Sequence, residues 1–327
     1  MRILEIFKEI YHIHGISGHE ERIAEKSRAF LSKSGEVSSG GFGSVICHIQ
    51  NSSENNLPKI MVCAHIDTPG FMIKSINSDG KIQIARLGLR DMRALHHQRI
   101  QIHSKKKTIT GVLLSPKDET FFVETGYTAK ELKTTGVEIG DPITFFPRNL
   151  SLSDSKIMST SVDGRLGLAM LISLAEVIRK SNIPCDVYLV ASTREEWGGE
   201  GALTTTRQIQ PDLGIVYDVT WVEAPVVDGK GPVLTLLDRS VILSRKINQK
   251  VTELAKKHNL NLQKEVMESG GSDAGSIART LMGTPVICLL PPIRYPHSSI
   301  EIFDIKDAEG AVRLTEKIIQ EAELLIS

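Results

Sequence analysis

The chain has 327 residues, 41% hydrophobic and 24% charged, and its 39 basic residues balance 39 acidic ones. This is material for about two domains, and it excludes disorder and any nucleic acid or anionic membrane partner held through a chain-wide basic excess. Four cysteines, at 47, 63, 185 and 288 and without C-x-x-C spacing, exclude a disulfide scaffold and fit a reducing, cytoplasmic compartment.

The N-terminal stretch Met1 to Tyr11 is broken by Glu5, Lys8 and Glu9, so it is not a secretory signal. Ile3, Leu4, Phe7, Ile10 and Tyr11 instead mark one face of an amphipathic helix. No window approaches 18 consecutive apolar residues, and no membrane span is expected. The polar run 51–56 reads as a loop between strands. Continuous apolar runs at 59–64, 186–192, 213–217 and 285–290 predict strands buried on both faces, as in a largely parallel or mixed sheet covered by helices. Helical spacing is present at 167–180, 240–258 and 305–325, the last with Asp304 placed to cap it. Between them, β-like runs at 81–85, 99–103, 108–114, 121–124 and 142–146 are separated by Gly, Asp and Lys and indicate a small all-β module. The expected fold is therefore α/β: a discontinuous domain, 1–67 and 159–327, with a small β domain at 68–158 inserted in it.

Residues able to hold a metal stand where the buried strands run out. His65 and Asp67 follow the first run, Glu195 and Glu196 the second, Asp218 the third and His297 the last. Asp163 sits just before a helix. Ligands of open α/β sheets bind at the carboxyl ends of the strands, so these positions can converge. Imidazoles and carboxylates without a thiolate make a hard donor set suited to zinc, cobalt or manganese. Paired ions suit hydrolysis, with a carboxylate outside the ligand set as proton acceptor. Each element alone is commonplace: a histidine at a strand end is usually a loop or core residue, and a Glu-Glu pair is usually solvated surface. Their joint occurrence carries the reading.

The motifs A-H-I-D-x-x-G, G-V-E-I-G-D-P, V-D-G-R-L-G, E-E-W-G-G-E-G-A, D-V-T, G-K-G-P-V, G-G-S-D-A-G and R-Y-P-H-S follow one another in this order. Through them the chain resembles the tetrahedral (TET) aminopeptidases, dimetal exopeptidases that include glutamyl and deblocking enzymes. The resemblance implies a three-layer α/β/α metallopeptidase domain with a barrel-like insert serving oligomerisation. It implies two divalent ions per subunit, short peptide substrates and a homo-oligomer, often a twelve-subunit shell, with a dimer as the smaller alternative. Carried over position by position, His65, Asp163 and Asp218 would hold one ion, and Asp163, Glu196 and His297 the other. Glu195 would be the general base, and Asp67 would orient His65. Two positions depart from the family. Gly164 replaces the usual Asp or Asn, a position that commonly follows a cis peptide, and Thr68-Pro69 replaces an acid and a small apolar residue. They motivate an alternative, a binding or assembly subunit with impaired chemistry; a related dimetal deacylase or carboxypeptidase is another. Cellulase labels attached to some members find no support in these residues, because a paired-carboxylate glycosidase needs no metal cage.

Other features read as structural. His96-His97, as strand neighbours, would point to opposite faces. Lys105 to Lys107 would form a solvated hairpin tip, Gly40 to Gly43 a turn, and the cysteines core thiols. Gly270 to Gly275 would shape the site ahead of a helix starting near Ala274, since Asp273 would repel a phosphate.

Overall fold

The computed structural model describes residues 2–50, 57–88, 95–114, 120–181 and 183–326; the expected loop 51–56 lies outside them. The strands Lys59–His65, Asp186–Ser192, Leu213–Tyr217 and Val286–Leu290 form the parallel centre of an eight-stranded sheet. Antiparallel strands Val45–Ile49 and Glu36–Ser39 extend one edge, and Val233–Leu237 with Gln263–Val266 extends the other. Alternation along a strand sends successive side chains to opposite faces. Ile60, Val62 and Ala64 thus join a core with the helices Ile3–Ile10, Val162–Ile178, Arg245–Lys257 and Ile305–Gln320, whereas Met61 and Cys63 pack with Glu200–Ile209 and Asp273–Ala278. With helices on both faces, this body has three layers, α/β/α.

Six strands between Gly70 and Phe145 close a separate barrel around their own core, which includes Phe71, Ile82, Ile100 and Ile143. Its one described helix, Ala129–Thr135, starts in a capping box between Thr128 and Glu131 and ends at Gly136, whose φ of 81° favours glycine. A second sheet, of five strands, was not read from the sequence. There Asn149–Ser151, inside the 68–158 span, pairs with Lys156–Ser159, which begins inside it, and the latter pairs with Glu301–Asp304 rather than with the barrel. Several expected boundaries move by a few residues: the helix expected from Gly167 begins at Val162, and the one expected from Ser240 begins at Arg245, capped by the Ser244 hydroxyl. Asp304 does cap Ile305–Gln320, accepting from the Lys306 N–H at 3.0 Å. Lys105 to Lys107 lie exposed between paired strands, and all four cysteines are free and buried. His96 and His97 depart from expectation: they occupy a turn, with His97 at φ 58°, and their rings lie 4.8 Å apart. No helix among the described residues is long and apolar enough to cross a membrane.

Phe303 joins the five-stranded sheet to the main core. It is fully buried, with its ring 5.1 Å from that of Phe7 in an edge-on arrangement. Phe303→Ala should lower unfolding stability by about 3–5 kcal/mol, read as a shift in urea midpoint at unchanged slope.

Candidate active site

Because the central strands are parallel, their carboxyl ends open on one edge of the sheet. Lys59–His65 delivers His65 and, two residues on, Asp67. Asp186–Ser192 runs into the turn carrying Glu195 and Glu196, and Leu213–Tyr217 is followed directly by Asp218. Asp163 comes from the first residues of Val162–Ile178, where the backbone at Asp163 and Gly164 is still non-helical. His297 lies in the loop between Pro292–Arg294 and Glu301–Asp304.

These residues meet. His65 Nε2 lies 3.1 Å from Asp163 Oδ1 and 3.3 Å from Asp218 Oδ1. His297 Nε2 lies 3.0 Å from Asp163 Oδ2 and 3.9 Å from Glu196 Oε2. Each oxygen of Asp163 therefore faces a different imidazole. Donor atoms of His65, Glu195 and Asp218 all lie within 4.8 Å of one another, as do those of His65, Asp163 and Glu196. Asp67, with no exposed surface, stands behind this group. It accepts the N–H groups of Glu195 and Glu196 at 3.0 and 3.1 Å and the Ser17 hydroxyl at 2.7 Å. The His65 Nδ1 to Asp67 Oδ1 separation of 3.6 Å is an ion-pair contact rather than a hydrogen bond. His297 Nδ1 donates to the Gly88 carbonyl at 2.7 Å, since a carbonyl oxygen can only accept.

Several buried carboxyl groups share this space with two imidazoles, and their titration reflects it. Burial drives Glu195 and Glu196 well above the ordinary carboxylate range, and neighbouring carboxylates reinforce it against the pull of the histidines. Burial likewise raises Asp218, with Asp163 adding to it. For Asp163 burial is outweighed by His297 and His65, which hold it well below its usual value. For His65 burial disfavours the cation, but Asp218, Asp163 and Asp67 raise it well above the usual imidazole value. Against burial, Glu196, Asp163 and Glu301 push His297 up to about 10. The cluster is short of positive charge. Glu196 Oε1 and His65 Nδ1 are also buried without a hydrogen-bond partner. Oxygen and imidazole donors in such an arrangement fit divalent cations of the zinc, cobalt or manganese kind.

The donors open into a cavity of about 430 Å3, whose wall includes Trp197, Trp221, Met267, Gly270, Ser272 and Arg279. The loop from Gly270 lies in this wall, and the helix after it starts at Asp273.

The profile of the M42 glutamyl aminopeptidase family matches residues 43–314. This chain belongs to the M42 glutamyl aminopeptidase family. The lysyl aminopeptidase of Pyrococcus furiosus is 30% identical over a 343-residue alignment that covers 97% of this chain and 96% of the relative. Among solved structures, the aminopeptidase of the archaeon Desulfurococcus kamchatkensis superposes with a TM-score of 0.93 at 26% identity, covering 99% of this chain and 96% of that one. The TET1 peptidase of Pyrococcus horikoshii, which can assemble into a tetrahedron or a large octahedral shell, gives 0.88 at 26% identity over 98% and 99% of the two chains.

Several residues support this M42 site through partners that no local sequence signal gives. Ser17 reaches Asp67 from the N-terminal region. Arg165, fully buried, donates to the Ile66 and Ile13 carbonyls. Glu301 accepts the N–H groups of Val162, Asp163 and His297 at 2.6, 3.2 and 2.9 Å. The V-D-G-R-L-G motif did mark Arg165, but not its partners.

Gly164 has a physical reason. Among the described residues the cis peptide bond is Ala224-Pro225, so the bond before Gly164 is trans rather than cis as the family pattern suggested. Gly164 sits at φ 79°, and a Cβ there would lie 2.2 Å from the Asp67 carbonyl oxygen. A side chain cannot enter without moving the Asp67 turn. Gly164→Ala should therefore cost more than the roughly 1–2 kcal/mol of a left-handed non-glycine residue alone, measured by urea unfolding, and Gly164→Asp should not act as a restoring change.

Proposed function

We propose that the chain is a metal-dependent aminopeptidase that releases N-terminal residues from short peptides. His65, Asp163 and Asp218 hold one divalent ion, and Asp163, Glu196 and His297 hold the second. Glu195 is the general base, and Asp67 orients His65. The observation that carries this reading is the division of Asp163, one oxygen 3.1 Å from His65 Nε2 and the other 3.0 Å from His297 Nε2, as a carboxylate shared by two ions requires. Family membership and the lysyl aminopeptidase of P. furiosus support the reaction class.

The ions, when bound, supply Lewis acidity, which makes a water acidic near neutral pH and polarises a carbonyl. The chain does the rest. The Glu195 carboxylate takes the proton from the attacking water and returns it to the departing amine. Its burial raises its affinity for a proton, which suits a group that must bind one and give it back. Asp67 fixes the Glu195 backbone through its N–H and lies beside His65 Nδ1, so base and imidazole keep their relative positions. The cavity beside them has the size of a small-molecule site and accommodates one side chain of the substrate.

Protein stripped of metal should release no chromophore from aminoacyl-p-nitroanilides, and zinc, cobalt or manganese should restore release. Glu195→Gln should lower kcat by roughly 10²–10⁴-fold while two ions still bind. Two bound ions with no residue released under any metal would overturn the aminopeptidase reading. We also propose assembly into a homo-oligomer, supported by the shells of the P. horikoshii relative. Light scattering should then give a multiple of the 36.0 kDa chain mass.

A further inference from the structure

We infer that Glu301 is a positioning residue that holds Asp163 and His297 in register with each other and so sets the affinity of the ion they share. The inference rests on the two-cation reading above. Glu301 is 2% exposed and lies outside the two donor clusters around His65. Its carboxylate joins segments far apart in the chain: one oxygen accepts the N–H groups of Val162 and Asp163, the other that of His297.

Both segments need such a brace. Ser161, immediately before Val162, is left-handed at φ 58°, and its side chain makes no capping hydrogen bond to the helix that follows. The first N–H groups of a helix have no partner within it. Here Glu301 supplies, from another strand, the acceptor that Ser161 does not, and it holds the Val162 and Asp163 N–H groups ahead of the non-helical step at Asp163 and Gly164. At the other oxygen, His297 is itself left-handed at φ 59°, two residues after Tyr295 at φ 60°. Non-glycine residues keep such conformations only where their surroundings over-determine them. Glu301 is itself fixed by strand pairing, opposite Ser159. One rigidly held carboxylate therefore fixes two strained turns, and each turn presents one of the donors that face each other at 3.0 Å.

The test is zinc titration of the metal-stripped full chain by calorimetry, for wild type, Glu301→Gln, His297→Ala and the double variant, with thermal melting of each metal-free protein. Wild type should take up two ions. Glu301→Gln should bind the ion held by both Asp163 and His297 10–100-fold more weakly, the usual effect of losing a group that supports a ligand, and binding of the ion that shares only Asp163 with it should weaken clearly less. The double variant should bind as His297→Ala does alone, because both changes act on the same ion. Wild-type affinity for both ions in Glu301→Gln would overturn the inference. So would equal weakening of both together with a lowered metal-free melting temperature, which is what a role in folding alone would produce. If Glu301→Gln does not fold, Glu301→Asp is read the same way: selective weakening supports the brace and uniform weakening overturns it. Fewer than two ions in wild type would sink the two-cation reading, and this inference with it, whatever the variants do.

Discussion

A carboxylate without access to water constrains the whole site. Asp67 is fully buried, and a buried charge is tolerable only when it is paired and hydrogen-bonded. Three segments meet that need: Ser17 from the N-terminal region, His65 from the end of its own strand, and the backbone of Glu195 and Glu196 from the next strand's turn. None of the three can shift without leaving Asp67 short of a partner. Arg165 adds a cation close by and ties the Ile66 carbonyl, between His65 and Asp67, to the first residues of the long helix. The two glutamates are thereby placed relative to His65 through a residue that belongs to neither turn.

The same economy explains the titration of the cluster. Neighbouring carboxylates raise the proton affinity of His65 and His297, and burial raises that of Glu195 and Glu196. A cation needs the opposite state, with neutral imidazole and ionised carboxylate. A cation at these donors would therefore compete with protons for the same atoms. The three-layer core carries the stability that allows such a cluster to exist, since Ile60, Val62, Ala64, Met61 and Cys63 are buried in two separate layers of packing right up to His65.

Much of this could be read from the sequence, for a definite reason. Strands buried on both faces are continuous apolar runs, and in a parallel sheet their ends fall together, so a polar residue after each run is a signal that position alone makes spatial. His65, Asp67, Glu195, Glu196 and Asp218 were legible in that way. The edge strands Glu36–Ser39 and Gln263–Val266 were not, because a strand with solvent on one side and few apolar residues has no such run. Glu301 was hidden for another reason: its partners depend on the pairing of Ser159 with Glu301, a contact that no local spacing encodes. His96 and His97 were misplaced because alternation was assumed across residues that the chain spends on a turn.

The barrel is not merely attached to the catalytic body. Gly88, just beyond the barrel strand Ile82–Leu87, offers its carbonyl to His297 Nδ1 at 2.7 Å. Its lack of a side chain matters here, because a Cβ on Gly88 would lie 2.2 Å from Glu196 Oε2. The carbonyl fixes the proton of His297 on Nδ1 and so turns Nε2, the other nitrogen, toward Asp163 and Glu196. His103 of the barrel also stacks on His14 with ring centroids 4.0 Å apart, so the insert is held against the body at a second place. A barrel anchored at two points can deliver a backbone acceptor to a fixed position, which a free loop of the same length could not do. The insert therefore completes the orientation of one imidazole, and the two cores act on a single site.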